Sequence, residues 1–208
     1  MKKYIKSMIA AALAGCMLTS AGALVACGGN GDGGNGGNGG ETEYVFEAEY
    51  TDLTGLVGLG PSGSTSGLNM IAESKEASNG AFVGSLGENS PLTFKFTSDK
   101  DGTAALKGIF GSNALASITW TPEEFGIIVN GTAVTYTGFG TEQGVNSVQN
   151  FKLRTIGTIN IKKGENTIVL KPQNNKHLNG TVSAPSVDCL KLTTDAKLTF
   201  DAHEDNLD

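Results

Sequence analysis

Histidine, tryptophan and cysteine are scarce in this chain, with two, one and three among 208 residues. Neither His177 nor His203 has a second histidine or a cysteine near it in sequence, which leaves little from which to build a histidine-centred catalytic site or a zinc site. Charge is also thin, at 17% of residues, with 15 lysines and arginines against 21 acids. Setting aside Lys2, Lys3 and Lys6 of the leader described below leaves 12 cationic side chains against 21 acidic ones, a net charge of −9. Such a surface argues against nucleic-acid binding, because phosphate neutralisation needs a clustered excess of lysine and arginine. No serine-nucleophile motif occurs, and the one glycine tract precedes no strand-to-helix unit that would cradle phosphate. The length suits one domain and excludes a large multidomain enzyme or a two-lobed solute-binding body.

What is present begins with an address. Lys2, Lys3 and Lys6 precede an uncharged, alanine-rich run over residues 7–26, the pattern of a secretory leader. Twenty such residues would also span a bilayer. The end of the run separates the readings: Leu24-Val25-Ala26-Cys27 resembles the bacterial lipobox. That resemblance implies a signal peptide over 1–26, a diacylglycerol on Cys27, and attachment through lipid to the extracellular face of the bacterial cell membrane. Residues 27–43 then form a linker, in which positions 28–40 hold nine glycines, three asparagines and one aspartate. This composition cannot bury apolar surface and acts as a tether with a reach of ~20 Å. Cys16 lies in the leader and Cys27 at its end, so Cys189 has no disulfide partner within the body.

From Tyr44 onward the dominant period is two. Tyr44, Phe46, Ala48 and Tyr50 alternate with Glu47 and Glu49, and Leu92, Phe94 and Phe96 alternate with Thr93, Lys95 and Thr97. Gly126-Ile127-Ile128-Val129 meets Asn130-Gly131 before Thr132-Ala133-Val134-Thr135-Tyr136, and Asn-Gly predicts a hairpin with a type I′ turn. Strands are also expected over 151–161, 167–171 and 186–192, with a turn at Lys162-Lys163-Gly164-Glu165-Asn166. About ten short strands with no βαβ rhythm indicate an all-β fold, a two-sheet antiparallel β-sandwich of jelly-roll type, over residues 44–194. The acidic stretch 195–208 reads as frayed, or as the stump of a connection to something further.

Five pieces in order carry a family resemblance: Phe46-Glu47-Ala48-Glu49, Ala77-Ser78-Asn79-Gly80-Ala81-Phe82-Val83-Gly84, Ile128-Val129-Asn130-Gly131, Lys163-Gly164-Glu165-Asn166-Thr167-Ile168 and Val187-Asp188. Together they resemble carbohydrate-binding modules of families 6 and 35, which share a galactose-binding-like jelly roll. The resemblance implies a structural Ca²⁺ held by Glu47, Glu49 and Asp188. Elementary electrostatics agrees: two glutamates two apart on a strand, and an aspartate in phase with the inward Leu190 and Leu192, need a counter-charge, which calcium with its oxygen ligands would supply. Without metal, the glutamates would be a solvated strand face and Asp188 a turn aspartate. The resemblance also implies a sugar site in loops at one end of the sandwich, matching Phe82, Phe151 and Asn174 or Asn175, with His177 in the same polar stretch. Phenylalanine stands where tyrosine or tryptophan is usual, so Phe82 and Phe151 are either platform or core. Trp120, in the stretch 113–124, is either a displaced platform or a lid on the core, and residues 174–177 either contact sugar or form a solvated turn.

The leading expectation is therefore a monomeric, non-catalytic surface lipoprotein that binds polysaccharide or glycan and contains structural calcium. The alternative is a calcium-stabilised interaction module without a sugar site. A hydrolase is disfavoured, because adjacent Glu123 and Glu124 do not face one another across a cleft as glycoside hydrolysis requires. Changing Cys27→Ala is expected to abolish incorporation of labelled fatty acid. Continued labelling of that variant would overturn the lipobox reading.

Overall fold

The computed structural model describes residues 40–59, 65–68, 70–112, 117–142, 150–173, 176–178 and 181–207. The leader, Cys27, most of the linker, Asn174 and Asn175 lie outside them. In chain order the strands are β1 (Thr42–Glu47), β2 (Gly58–Leu59), β3 (Thr65–Leu68), β4 (Ile71–Glu73), β5 (Ala81–Val83), β6 (Leu92–Ser98), β7 (Gly102–Gly111), β8 (Ile118–Trp120) and β9 (Phe125–Val129). They continue as β10 (Thr132–Ala133), β11 (Phe139–Thr141), β12 (Lys152–Ile161), β13 (Gly164–Pro172), β14 (Lys176–Leu178), β15 (Thr181–Ser183), β16 (Ser186–Thr194) and β17 (Leu198–Phe200).

Two antiparallel sheets form the sandwich, as the alternation predicts. One has the order β12-β7-β16-β5-β4, with β1 also on β16; the other runs β10-β9-β13-β6-β17. Their facing residues make the core: Phe46, Leu106, Phe110, Leu190 and Leu192 from the first, and Phe94, Phe96, Phe125, Ile127, Ile168 and Leu170 from the second. Every one of these is almost wholly buried, and each large side chain so removed from water contributes roughly 1.5–3 kcal/mol.

The Asn-Gly hairpin is present. Asn130 and Gly131 have φ of 49° and 81°, and Thr132 pairs with Val129. The strand after it is shorter than the sequence suggests: only Thr132 and Ala133 pair, and Tyr136 turns into the core, where its hydroxyl donates to the Phe125 carbonyl. The second turn, between β12 and β13, crosses from one sheet to the other. Gly164 takes a φ of 87°, and the buried Asn166 side chain pins the corner. Its amide donates to the carbonyls of Lys162 (2.7 Å) and Gly164 (2.9 Å), and its Oδ1 accepts from the Lys162 N–H (2.9 Å) and from Asn130 Nδ2 (2.8 Å). The two turns are thereby tied together.

Three expectations are corrected. The first alternating run stops being a strand at Glu47, and Ala48–Tyr50 forms a 3-10 turn, so Glu49 is not on the same strand face as Glu47. Between Val187 and Cys189 the pairing of β16 with β7 shifts by one residue, a bulge that takes Asp188 out of phase with Leu190 and Leu192. Finally, the stretch after Thr194 is ordered: β17 pairs with β6, and Phe200 stacks on Phe46 at 4.7 Å between ring centroids. Its acidic composition concealed apolar positions at Ala196, Leu198 and Phe200.

Replacing Asn166 by alanine would strip partners from buried main-chain groups and from Asn130. A loss of ~2–4 kcal/mol is expected from urea unfolding, at ~1–3 kcal/mol per group left unsatisfied. A loss below ~0.5 kcal/mol would show that the corner does not depend on this side chain.

Candidate metal and ligand site

The free edge of β16 is covered end to end by two strands. β1 pairs along Cys189 to Thr194, and β5 pairs at Val187. Asp188 sits at the junction. Between β4 and β5 the chain makes a compact loop over residues 74–80, closed by main-chain bonds from Ser74 N to Gly80 O (2.9 Å), Ala77 N to Ser74 O (3.1 Å) and Gly80 N to Ala77 O (3.2 Å). Gly80 has a φ of 80°, a conformation that glycine takes without strain. This loop lays Ser78 and Asn79 over the junction.

Three carboxylates meet these two residues. Asp188 Oδ1 accepts from the Ser78 N–H (2.9 Å), and the Ser78 hydroxyl lies 3.0 Å from Asp188 Oδ1 and 2.7 Å from Glu47 Oε2. Asn79 Nδ2 donates to Glu49 Oε1 (3.0 Å) and to the Tyr50 hydroxyl (2.8 Å). Glu49 and Asp188 are buried, and Glu49 Oε2 is buried without a hydrogen-bond partner. A serine hydroxyl has a single hydrogen, so it serves either Glu47 or Asp188. Without a cation the remaining contact requires a proton on one carboxyl.

The titration behaviour agrees. Burial pushes the Glu47 carboxyl up to about 7, the charges of Glu49 and Asp188 add to the rise, and the Ser78 hydrogen bond opposes it. Burial likewise raises Glu49, against hydrogen bonds from its own backbone and Asn79, and raises Asp188 against the two bonds from Ser78. Cys189, opposite Glu47 in the pairing of β1 and β16, is a buried thiol pushed up to about 12 by burial first and then by Glu47 and Asp188.

As a test of fit for a hard divalent ion, the donor set is right and the closure incomplete. Carboxylate oxygens are the ligands that calcium takes, and the unpartnered Glu49 Oε2 is an acceptor with nothing to accept. Among the described residues, however, no three histidine, cysteine, aspartate or glutamate side chains already stand together as a metal-holding group. Binding would need the Ser78 and Asn79 contacts to rearrange around the ion.

Two residues along β16 from Asp188, Ser186 marks an aromatic end of the same sheet. Ser186 pairs with Gly111 at the end of β7, and Phe151 immediately precedes β12. A Cβ on Gly111 would lie 2.7 Å from the Phe151 ring, and one on Gly84 would lie 3.2 Å from the Phe82 ring and 3.6 Å from Ser186 Oγ. The absent side chains thus make room for both rings, which meet edge to face at 5.2 Å. Phe151 is half-buried, whereas Phe82 is only 6% exposed. Phe82 therefore supports Phe151 and does not itself offer a platform. Trp120 is a core residue: it is 1% exposed, lies edge-on to Phe125 at 6.3 Å, and donates its indole N–H to Thr141 Oγ1 at 3.1 Å. It ends a short strand paired with β11, in a stretch that the sequence suggests is irregular. His177 lies in β14, opposite Val182 of β15, so that part of the polar stretch is a hairpin.

The structure adds a partner for the acids that sequence reasoning missed, the amide of Asn79, which the Tyr50 hydroxyl also meets. Asn79 lies inside the quoted motif, but its direction toward Glu49 depends on the 3-10 turn, which leaves no mark in the alternation.

No protein-family model and no curated protein matches this chain. Among solved structures, the chain is similar to the family 35 carbohydrate-binding module of Cellvibrio japonicus Abf62, at 10% identity and a TM-score of 0.46, covering 76% of this chain and 97% of that one. It is similar to a family 35 module from Clostridium thermocellum at 19% identity and a TM-score of 0.49, covering 73% and 98%. It is also similar to an exo-β-1,3-galactanase from Phanerochaete chrysosporium at 18% identity and a TM-score of 0.47, covering 73% of this chain and 29% of that enzyme.

The carboxyl cluster generates a pH dependence. In chelator, Glu47 ionises near 4.5 when unfolded and near 7 when folded. Between these values the folded state holds the extra proton, so stability is greatest below ~4.5 and falls as pH rises through ~7. Melting scans in chelator should show a lower Tm at pH 7.5 than at pH 5, and Glu47→Gln should flatten that slope. A Tm that rises over this interval would contradict the assignment.

Proposed function

We propose that this protein is a non-catalytic, lipid-anchored carbohydrate-binding domain with a structural Ca²⁺ at Glu47, Glu49 and Asp188. One observation carries the reading: a cluster of three carboxyl groups, which the Glu43-bonded Lys191 opposes only in part, lies two residues along β16 from an end of the sandwich that presents an aromatic ring. Calcium at the cluster would replace the shared proton and hold the β1, β5 and β16 junction together. Phe151, backed by Phe82, would receive the C–H face of a pyranose, and an amide group of Asn174 or Asn175 would meet its hydroxyls. The proposal includes His177, from the same stretch of sequence.

The burial of Phe82 and Trp120 favours a second reading, in which the fold and the acidic junction serve a structural or protein-interaction role without sugar. A glycan-array screen with calcium present separates the two, since the second reading allows no class of hits. With a ligand in hand, Phe151→Ala should cost ~1–3 kcal/mol of affinity while moving Tm little. Trp120→Ala should instead cost ~3–5 kcal/mol of stability, as for any large core side chain. Calcium at 100 times its Kd should stabilise the domain by ~2.7 kcal/mol. An array without hits, together with a Phe151→Ala variant that only unfolds more easily, would replace the first reading by the second.

A further inference from the structure

The segment after β17 is bonded to the turn that carries Glu49. The Tyr50 carbonyl accepts from the His203 N–H at 2.8 Å. Asn206 Nδ2 donates to the carbonyls of Glu49 at 2.9 Å and Thr51 at 2.6 Å. Three successive carbonyls, of Glu49, Tyr50 and Thr51, are thus held by residues some 150 positions later in the chain. Within the turn itself, the Ala48 carbonyl accepts from the Thr51 N–H (3.1 Å) and hydroxyl (2.8 Å).

A 3-10 turn of three residues supplies little stability of its own, and its N-cap residue Glu47 makes no side-chain capping bond. The last carbonyls of so short a turn have no donor within it and need donors from elsewhere. The closing segment is in turn fixed: Leu198 and Phe200 are paired with β6, Phe200 is stacked on Phe46, and the Asp201 N–H donates to the Lys95 carbonyl at 2.9 Å. Residues 204–207 form a second short 3-10 turn, in which the Asn206 N–H lies 3.3 Å from the His203 carbonyl. The two turns therefore lock through one asparagine amide, whose two hydrogens match the two carbonyls that it meets.

We propose that Asn206 is a positioning residue for the acidic junction: by holding the backbone at Glu49 and Thr51, it fixes the Glu49 carboxylate against Asn79 and sets the affinity of the junction for a divalent cation. The cation part rests on the calcium reading above; the backbone part does not.

The test compares the full chain with Asn206→Asp, which keeps the shape of the side chain while turning two donors into acceptors that face carbonyls, and with Thr199→Ala as an uncharged, exposed change elsewhere in the closing segment. Calcium titration by calorimetry should give a Kd unchanged for Thr199→Ala and raised ~10–100-fold for Asn206→Asp, a loss of ~1.4–2.7 kcal/mol. In metal-free protein, hydrogen exchange at the Thr51 amide should be at least ~10-fold faster in Asn206→Asp, while exchange at Leu106 and Leu170 in the core stays at the wild-type rate. If wild-type protein binds no calcium, the calcium reading fails and the Thr51 exchange alone decides the positioning claim. Wild-type exchange at Thr51 in Asn206→Asp overturns the proposal. So does a wild-type Kd in a variant whose Thr51 amide exchanges faster, because the lock then does not reach the carboxylate. Uniformly faster exchange, core included, would assign Asn206 a general stabilising role and likewise overturn it.

Discussion

One hydroxyl hydrogen between two carboxyl groups is the constraint around which the acidic junction of this molecule is arranged. The Ser78 hydroxyl cannot donate to Glu47 and Asp188 together, although the Ser78 N–H also serves Asp188, and the Glu49 carboxyl has a buried oxygen without a hydrogen-bond partner. Burying three such groups would be ruinous in an apolar setting, since an uncompensated buried charge costs several kcal/mol. The fold tolerates them because they occupy a seam and not the core. Phe46, Ala48 and Leu190 carry the packing on the inner side of that seam, while the loop over 74–80 roofs it with donors. The bulge in β16 makes this possible: one extra residue lifts Asp188 out of the inward phase and leaves Val187 and Leu190 in the core.

That arrangement separates the residues that pack the sandwich from those of the candidate site. The sandwich is held by aromatic and aliphatic burial, with Phe110 stacked on Phe139 at 4.6 Å and Phe46 between Phe96 and Phe200. Cys189 has no cysteine to pair with in the body and is buried with a thiol that resists ionisation, so covalent cross-linking contributes nothing. The polar corner at Asn166 fixes how the sheets connect, and the lock at Asn206 fixes a turn outside the sheets. Each is a few hydrogen bonds whose net worth is modest, yet whose geometry decides where chain segments end.

The sheets were readable because period-two alternation is a direct consequence of strand geometry, and Asn130-Gly131 because few dipeptides accept two successive positive φ angles. Glu47, Glu49 and Asp188 do converge on Ser78 and Asn79, but not by the route that the alternation implies. Their convergence comes from a 3-10 turn and a bulge, and each of these breaks the alternation from which an inward Asp188 and a shared strand face for the glutamates were inferred. A bulge is an event in the pairing of two strands, so one strand's sequence carries little trace of it. The closing segment was misread for a related reason. Its charges are conspicuous, and its three apolar positions acquire meaning only once Phe46 and β6 are seen to lie beside them.

The aromatic residues show where sequence runs out altogether. Phe82, Phe151 and Trp120 are chemically interchangeable as platforms, and what separates them is which neighbouring backbone leaves space. Gly111 and Gly84 give up their side-chain volume to the Phe151 and Phe82 rings, and Phe82 then closes against Phe151. Trp120 finds Phe125 on one side and a hydroxyl for its indole N–H on the other, a combination that keeps it in the interior. A binding surface that offers one half-buried ring, backed by another, makes a shallow contact. On the proposed reading, the energy available from such a contact, set against the cost of immobilising a hydrated sugar, would give dissociation constants of roughly 10 μM to 1 mM. Affinity of that order would suit the lipid-anchored display proposed above, where effective concentration supplies what the single contact does not.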